Sequence, residues 1–170
     1  MPLTPAQLTA LKAEVTTNPL YAADLASGND TGIAAALNAD ASPTYYVYRT
    51  ALPLMELTDT PGVGDDGVTP TTWSYTTYVG RSQGERDAFL LLFRSAAVNP
   101  SLPQVRAAFS DIFSGAGGAA QRTHCAAKSR RAATRAEKLF ATGAGSAASP
   151  ANLTFFGAVT PADVAAARNA

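Results

Sequence analysis

Apolar residues recur at helical spacing near the start of the chain. Leu8, Leu11 and Val15 lie three and four residues apart, so they form one stripe on a helix over about residues 5–16. A Thr-x-x-Gln capping box begins at Thr4, directly before this stripe. After Asn18-Pro19 the chain restarts, and two further short helices are predicted before residue 39.

The second half of the chain also contains capping residues followed by apolar runs. Ser82 and Glu85 form a capping box ahead of the most apolar run in the sequence. This pattern predicts a central core helix over residues 83–97. Four more helices are predicted to begin near Ser101, Ala119, Thr134 and Thr160.

The middle of the chain has a different pattern. Residues 45–48 are aromatic and β-prone, whereas residues 58–72 contain turn-forming residues without periodicity. Trp73, Tyr75 and Tyr78 follow, and alternate residues here could face one side of a short strand. Two interpretations stay open for these aromatic residues: they pack beneath the loop, or they form an exposed contact patch.

These patterns together predict a mainly α fold. We expect several short helices packed as one compact domain over residues 1–170, with an extended turn-rich loop or arm at 58–72 and at most a short β element. Much of the 46% apolar content is alanine, which buries little area per residue. Such a core would gain stability from burial against partner subunits.

Charge is balanced overall but uneven along the chain. Thirteen basic and thirteen acidic residues cancel, which leaves no global field for nucleic acid or membrane. Residues 1–70 hold two basic and eight acidic residues, a net charge of −6, and residues 71–170 hold eleven and five, a net charge of +6. A dipolar chain of this kind could stack head to tail in a ring, although uneven halves are also common in neutral proteins.

No complete set of catalytic or metal-binding residues is present in the sequence. Asp65 and Asp66 lie in a glycine-rich loop, but a calcium site needs six to eight oxygens and the next acid is distant at Glu85. His124 and Cys125 lack the other members of a zinc site or a nucleophile–base pair. We therefore predict a protein without enzymatic activity, cofactor or small-molecule substrate.

The N-terminal residues show neither the basic stretch nor the apolar run expected of a signal peptide, and no apolar run in the sequence reaches the length needed to cross a bilayer. We therefore expect no membrane contact, and location in a cytosol or in a particle assembled there.

One segment concentrates basic charge. Six of the thirteen basic residues lie within residues 122–138, with Glu137 the only acid among them. The segment could contact DNA phosphates or an acidic subunit, or it could be a solvated helix face. No aromatic residues alternate with the charges for base stacking, so a protein–protein role is favoured. The candidate interaction residues are Arg122, Lys128, Arg130, Arg131, Arg135 and Lys138, together with Trp73, Asp65 and Asp66.

Several short segments carry a family resemblance. They are Leu8-Thr-Ala-Leu-Lys-Ala-Glu-Val15, Asn18-Pro-Leu20, Gly28-Asn-Asp30, Ile33-Ala-Ala-Ala-Leu-Asn38, Val105-Arg-Ala-Ala-Phe109, Ile112-Phe113, Ala133-Thr-Arg-Ala-Glu137, and Gly157 with Val159–Val164. In these segments the sequence resembles small alanine-rich virion proteins of long-tailed bacteriophages, whereas residues 45–78 depart from the family pattern.

The resemblance implies a non-catalytic structural subunit of the virion, assembled in the host cytoplasm. The dipolar charge, the thin alanine core and the arm at 58–72 favour a ring-forming or adaptor subunit at the head–tail neck or in the tail. Its partners would be copies of itself and neighbouring virion proteins, with incidental contact with packaged DNA. The alternatives are an accessory protein of the capsid or tail tip, for decoration or fibre attachment, and a DNA-contacting protein that uses residues 122–138.

Overall fold

The computed structural model describes residues 3–170, and the chain is mainly helical, as the sequence predicts. The α-helices in this part of the chain are α1 (Pro5–Thr17), α2 (Ala22–Ser27), α3 (Asp30–Asn38), α4 (Leu54–Asp59), α5 (Tyr75–Val79), α6 (Gln83–Leu92), α7 (Pro103–Ile112), α8 (Ala119–Lys128), α9 (Arg135–Phe140) and α10 (Pro161–Asn169).

Six short strands form three separate pairs, more β structure than the single short element predicted. They are β1 (Tyr46–Tyr48), β2 (Leu52–Pro53), β3 (Gly62–Val63), β4 (Pro70–Thr71), β5 (Ala97–Val98) and β6 (Arg130–Ala132). Strand β1 pairs with β6, β2 is antiparallel to β5 with Leu52 opposite Val98, and β3 is antiparallel to β4 with Gly62 opposite Thr71. Each pair is too short to give a periodic signal in the sequence.

The chain divides into two compact units, whereas the sequence patterns predict one compact domain. The first comprises Met1–Tyr45, Ala132–Gly145 and Ala151–Ala170, and the second comprises Tyr46–Arg131 and Ser146–Pro150. Each unit has a hydrophobic cluster of its own.

Helices α1, α2, α3, α9 and α10 form the first unit, and local sequence signals define most of their ends. Capping boxes open α1 at Thr4, α9 at Thr134 and α10 at Thr160. Helix α2 ends at Gly28, whose φ of 70° is a left-handed conformation that glycine adopts at low cost. The predicted boundaries here are confirmed within a few residues. The core is mainly aliphatic and includes Leu11, Val15, Ile33, Leu37 and Val164.

The second unit is built around aromatic rings. Phe89 is 2% exposed, and its ring centroid lies 5.1–6.4 Å from the rings of five neighbours, namely Trp73, Tyr78, Phe93, Phe109 and Phe113. Helix α6 begins at its predicted capping box but ends at Leu92, five residues before the predicted end. The chain turns after Phe93 because Ala96 adopts a φ of 65°, and residues 97–98 then pair in a strand.

The segment after Trp73 is a helix, not the short strand that alternation predicted. The Ser74 hydroxyl accepts a hydrogen bond from the Thr77 backbone N–H at 3.1 Å and thereby caps α5. A side-chain cap thus decides the local structure, and it outweighs the alternation of aromatic residues.

Residues 58–72, predicted as an irregular arm, contain the β3–β4 hairpin. The Gly64 backbone N–H donates to the Thr69 carbonyl at 2.8 Å and closes the hairpin loop. The hairpin packs on α8, and a Cβ on Gly62 would lie 3.0 Å from the Ala127 Cβ. The segment 58–72 is therefore ordered by its packing on α8, and the small size of Gly62 permits this close approach.

Candidate functional site

The basic segment at 122–138 is not a solvated helix face. The Lys128 and Arg130 side chains are buried, Arg122 and Arg135 are half-buried, and Arg131 and Lys138 are exposed. Arg122 and Arg130 lie in the second unit, whereas Arg135 and Lys138 lie in the first. These residues are therefore divided between the two units, and they differ widely in exposure.

Lys128 joins α8 to the end of α4. Its Nζ donates to the Thr60 hydroxyl at 2.6 Å and lies 3.9 Å from a Glu56 carboxylate oxygen. Burial lowers the pKa of Lys128, although the nearby carboxylate opposes this shift. Glu56 also accepts a hydrogen bond from Arg49 at 2.7 Å, and this bond lowers the pKa of the carboxyl.

Arg130 joins β6 to the β3–β4 hairpin. Its guanidinium donates to the Asp65 carboxylate at 2.6 Å and to the Val63 carbonyl at 2.6 Å, and its Cζ lies 5.5 Å from the centroid of the Tyr46 ring. The sequence-predicted residues Asp65 and Arg130 thus meet as an ion pair. Their contact fixes the hairpin on the body of the second unit.

Asp66 stabilises the hairpin turn. Its carboxylate accepts hydrogen bonds from the backbone N–H groups of Val68 at 2.9 Å and Thr69 at 2.8 Å, and from the Thr69 hydroxyl. These bonds lower the pKa of Asp66 to about 2. Across residues 3–170, no group of three His, Cys, Asp or Glu side chains is placed to hold a metal ion.

Arg122 and Arg135 hold main-chain carbonyls at the ends of helices. Arg122 donates to the carbonyls of Phe113 and Gly115, the latter at 2.9 Å, beyond the end of α7. Arg135 donates to the Ala36 carbonyl at 2.9 Å in the last turn of α3. Cations near helix C-termini bind unpaired carbonyls and interact favourably with the helix dipole, so both side chains have a structural role.

His124 is a buried link between three elements. Its Nε2 lies 2.7 Å from the Leu57 carbonyl and its Nδ1 lies 3.1 Å from the Thr71 hydroxyl. Because a carbonyl can only accept, Nε2 carries the proton. Burial lowers the pKa of His124 and raises the pKa of the Cys125 thiol to about 12. The adjacent pair therefore has the properties of core residues, and the thiol stays protonated at neutral pH.

Trp73 is half-buried, and it contacts the aromatic core of the second unit while part of it reaches the surface. It packs against Phe89, with ring centroids 5.3 Å apart, and it also lines a groove of about 350 Å³ at the surface of the second unit. We call this feature the apolar groove. It is lined by Leu54, Thr58, Asp59, Trp73, Tyr75, Tyr78, Phe89 and Leu90.

No protein-family model, curated protein or solved structure matches the chain. The family resemblance inferred from the sequence therefore stays a prediction. Among residues 3–170, no helix is both long and apolar enough to span a bilayer.

Across residues 3–170, half of the exposed large apolar residues lie on the helices that line the apolar groove, and two of them, Tyr75 and Leu90, belong to its lining. Ten large apolar residues are exposed in the described part of the chain, and five of them lie on the three helices that line the groove. These five are Met55 on α4, Tyr75 and Val79 on α5, and Leu90 and Leu91 on α6. The run Leu90-Leu91-Leu92 indicates in the sequence that an apolar side chain is exposed here, because three consecutive residues cannot all face the buried side of one helix.

The charge asymmetry along the sequence largely disappears in the fold. The first unit holds four basic and six acidic residues, a net charge of −2, and the second holds nine and seven, a net charge of +2. The acidic residues of 46–70 share a unit with the basic residues of 71–131, as the Glu56–Lys128 and Asp65–Arg130 contacts illustrate. A head-to-tail ring driven by opposite charge therefore has less support than the sequence suggested.

Proposed function

We propose that this protein is a non-catalytic structural subunit of a tailed-phage virion, which assembles with copies of itself as a ring or adaptor at the head–tail neck or in the tail. The observation that carries the proposal is the apolar groove with its exposed rim. Soluble monomers rarely expose contiguous apolar patches of large size, and such patches typically mark protein interfaces.

The polar side chains of the second unit support a structural role rather than catalysis. Lys128, Arg130 and His124 each hold another element in place. These hydrogen bonds and ion pairs connect parts of the same unit, as expected of residues with a structural role. The resemblance to alanine-rich virion proteins supports the assignment to a virion, and the groove provides a surface through which subunits could assemble.

DNA contact has weaker support. Phosphate binding requires basic side chains that reach the surface, and the Lys128 and Arg130 side chains are buried. We therefore favour self-association through apolar contacts over a DNA-binding function.

The test compares two exposed leucines on different units. Leu90 lines the groove and is 52% exposed, whereas Leu20 lies in the first unit and is 51% exposed. We expect wild-type protein and Leu20→Glu to form oligomers in size-exclusion chromatography with light scattering, and rings in negative-stain microscopy. Leu90→Glu should be monomeric and folded.

Particles provide the second readout. Mass spectrometry of gradient-purified virions should detect the wild-type protein at many copies, and Leu90→Glu should be missing from the particles. A wild-type protein that stays monomeric at high concentration would contradict the proposed self-assembly, and its absence from purified particles would contradict the virion role.

A further inference from the structure

A small cavity in the second unit has a chemistry distinct from that of the apolar groove. Its volume is about 130 Å³, which is close to the roughly 150 Å³ of an engineered cavity that binds benzene. Residues of α7, α8, β1, β6 and the segment 146–150 line it. A ligand of this size would have about six heavy atoms, by the same comparison.

The cavity carries excess positive charge. Three arginines line it, Arg106, Arg122 and Arg130, against one carboxylate, that of Asp65. Arg130 is paired with Asp65, whereas neither of the other two arginines forms an ion pair within residues 3–170. Within the described part of the chain, two of the three positive charges therefore have no carboxylate paired with them. Such charges attract an anion more strongly in a cavity with low-dielectric walls than in open solvent.

Both unpaired guanidinium groups are held in fixed positions. Arg106 donates from one terminal nitrogen to the carbonyls of Pro100 at 2.6 Å and Ser101 at 2.9 Å, and its Cζ lies 4.0 Å from the centroid of the Tyr48 ring. Arg122 uses one terminal nitrogen in the same way on two carbonyls. Since a guanidinium carries five N–H donors, the rest of each planar fork stays available and already oriented.

The remaining lining is mainly apolar, and Tyr48, Ser110 and Ser129 add neutral hydroxyl-bearing side chains. Phe109 is buried and forms one wall, and Ala126, Ala147 and Pro150 contribute small side chains. The thiol of Cys125 also faces this lining, and its raised pKa keeps it protonated, so it does not supply a compensating negative charge. The cavity thus combines fork-shaped cationic donors with a compact apolar surface.

We propose that this cavity binds one carboxylate group carried on a small apolar body, with Arg106 and Arg122 as its ligands. Arginine forks match the two oxygens of a carboxylate in a bidentate geometry. The carboxylate could belong to a free small acid or to an acidic side chain of a neighbouring subunit, and the chemistry of recognition is the same for both. The proposal does not depend on the virion role.

Butyrate, butyramide and butylammonium form a matched set of probes, because they share an apolar body and differ in charge. Isothermal titration calorimetry on the intact chain should show saturable binding of butyrate, and affinity for the amide and the ammonium at least about tenfold weaker, as expected when hydrogen bonds to a charged group are lost. Equal binding of the three probes, or no binding of butyrate, would overturn the proposal. Inorganic phosphate that binds as tightly as butyrate would overturn the choice of a carboxylate.

Variants locate the site. Arg106→Gln and Arg122→Gln should each weaken butyrate binding about tenfold or more, and Ala147→Leu should abolish it by filling the cavity without a change in charge. Arg94→Gln and Ala144→Leu are the controls, because both residues are exposed and lie outside the lining. Arg122→Lys retains the positive charge, so it should bind butyrate more tightly than Arg122→Gln. This comparison separates the effect of the charge from any effect of the substitution on folding. Butyrate binding that persists in both glutamine variants would place the ligand elsewhere and overturn the proposal.

A competition arm distinguishes the two sources of the carboxylate. If the group belongs to a neighbouring subunit, saturating butyrate should shift the assembled protein towards smaller species in light scattering, and butyramide should not. If it belongs to a free acid, oligomer size should be unchanged while calorimetric binding persists.

Discussion

The two units of this protein reach stability by different means. The first unit buries mainly aliphatic side chains such as Leu11, Ile33 and Leu37, and its helices α1, α9 and α10 begin at capping boxes formed by residues three apart. The second unit buries a cluster of aromatic rings and also encloses polar groups, among them His124 and Arg130. Both units are closed by contacts between residues far apart in sequence, but local signals mark more of the helix starts in the first unit.

Removal of the central ring of the second unit should have the largest effect. Phe89 contacts five other aromatic rings and is 2% exposed, so Phe89→Ala should lower the free energy of unfolding by about 3–5 kcal/mol. Urea denaturation followed by Trp73 fluorescence measures this, because Trp73 is the only tryptophan and lies in the same unit. Leu90→Ala, on the exposed face of the same helix, should cost less than about 1 kcal/mol.

Loss of the clamp on the hairpin should have the next largest effect. Arg130→Met keeps the length of the side chain but removes the hydrogen bonds to Asp65 and Val63, so we expect a loss of about 2 kcal/mol. Because Asp65 is 56% exposed, water can solvate the carboxylate that remains. Limited proteolysis near Gly67 should accelerate in this variant. Arg94→Met is the control, and equal stability of both variants would show that the ion pair contributes nothing.

The contrast between the units explains which sequence predictions were confirmed. Capping boxes at Thr4, Ser82 and Thr134 predicted helix starts, because a cap involves residues only three apart. The hairpin within residues 58–72 was missed, since the local bonds of Asp66 stabilise only its turn, and its strands are held by Arg130 and by packing on α8, about fifty or more residues away. No local pattern encodes such a contact.

The candidate site shows the same limit. Charge density singled out Lys128 and Arg130, but charge density alone cannot distinguish side chains that form ion pairs within the fold from a solvated basic face. Asp65 and Arg130 were both singled out, yet their pairing follows only from the fold. The apolar groove was missed because its residues come from three helices separated along the chain.

A buried histidine should make stability depend on pH. The folded pKa of His124 is lowered, so in the window below its unfolded value of about 6.5 the unfolded chain binds more protons. Stability should therefore be constant above this value and fall as the pH decreases below it, by at most about 1.4 kcal/mol per pH unit. Chemical denaturation between pH 5 and 7.5 measures this slope while most carboxylates stay ionised. His124→Gln should remove the slope, because the chain has no other histidine.

The smallest expected effect comes from removal of single helix caps in the two units. The hydroxyls of Thr4 and Ser82 both accept a hydrogen bond from the backbone N–H three residues later, at 3.3 Å in each case. Thr4→Ala and Ser82→Ala should each lower the free energy of unfolding by about 1 kcal/mol, because each removes the oxygen that accepts a hydrogen bond from a backbone N–H in the first turn of the helix. Thr9→Ala is the control within α1, because its hydroxyl bonds only the Pro5 carbonyl inside the helix. Trp73 fluorescence should detect the Ser82 variant directly, whereas far-ultraviolet circular dichroism should detect both. A Thr4 variant that destabilises the chain as much as Phe89→Ala would contradict the view that the first unit draws on many small local contributions.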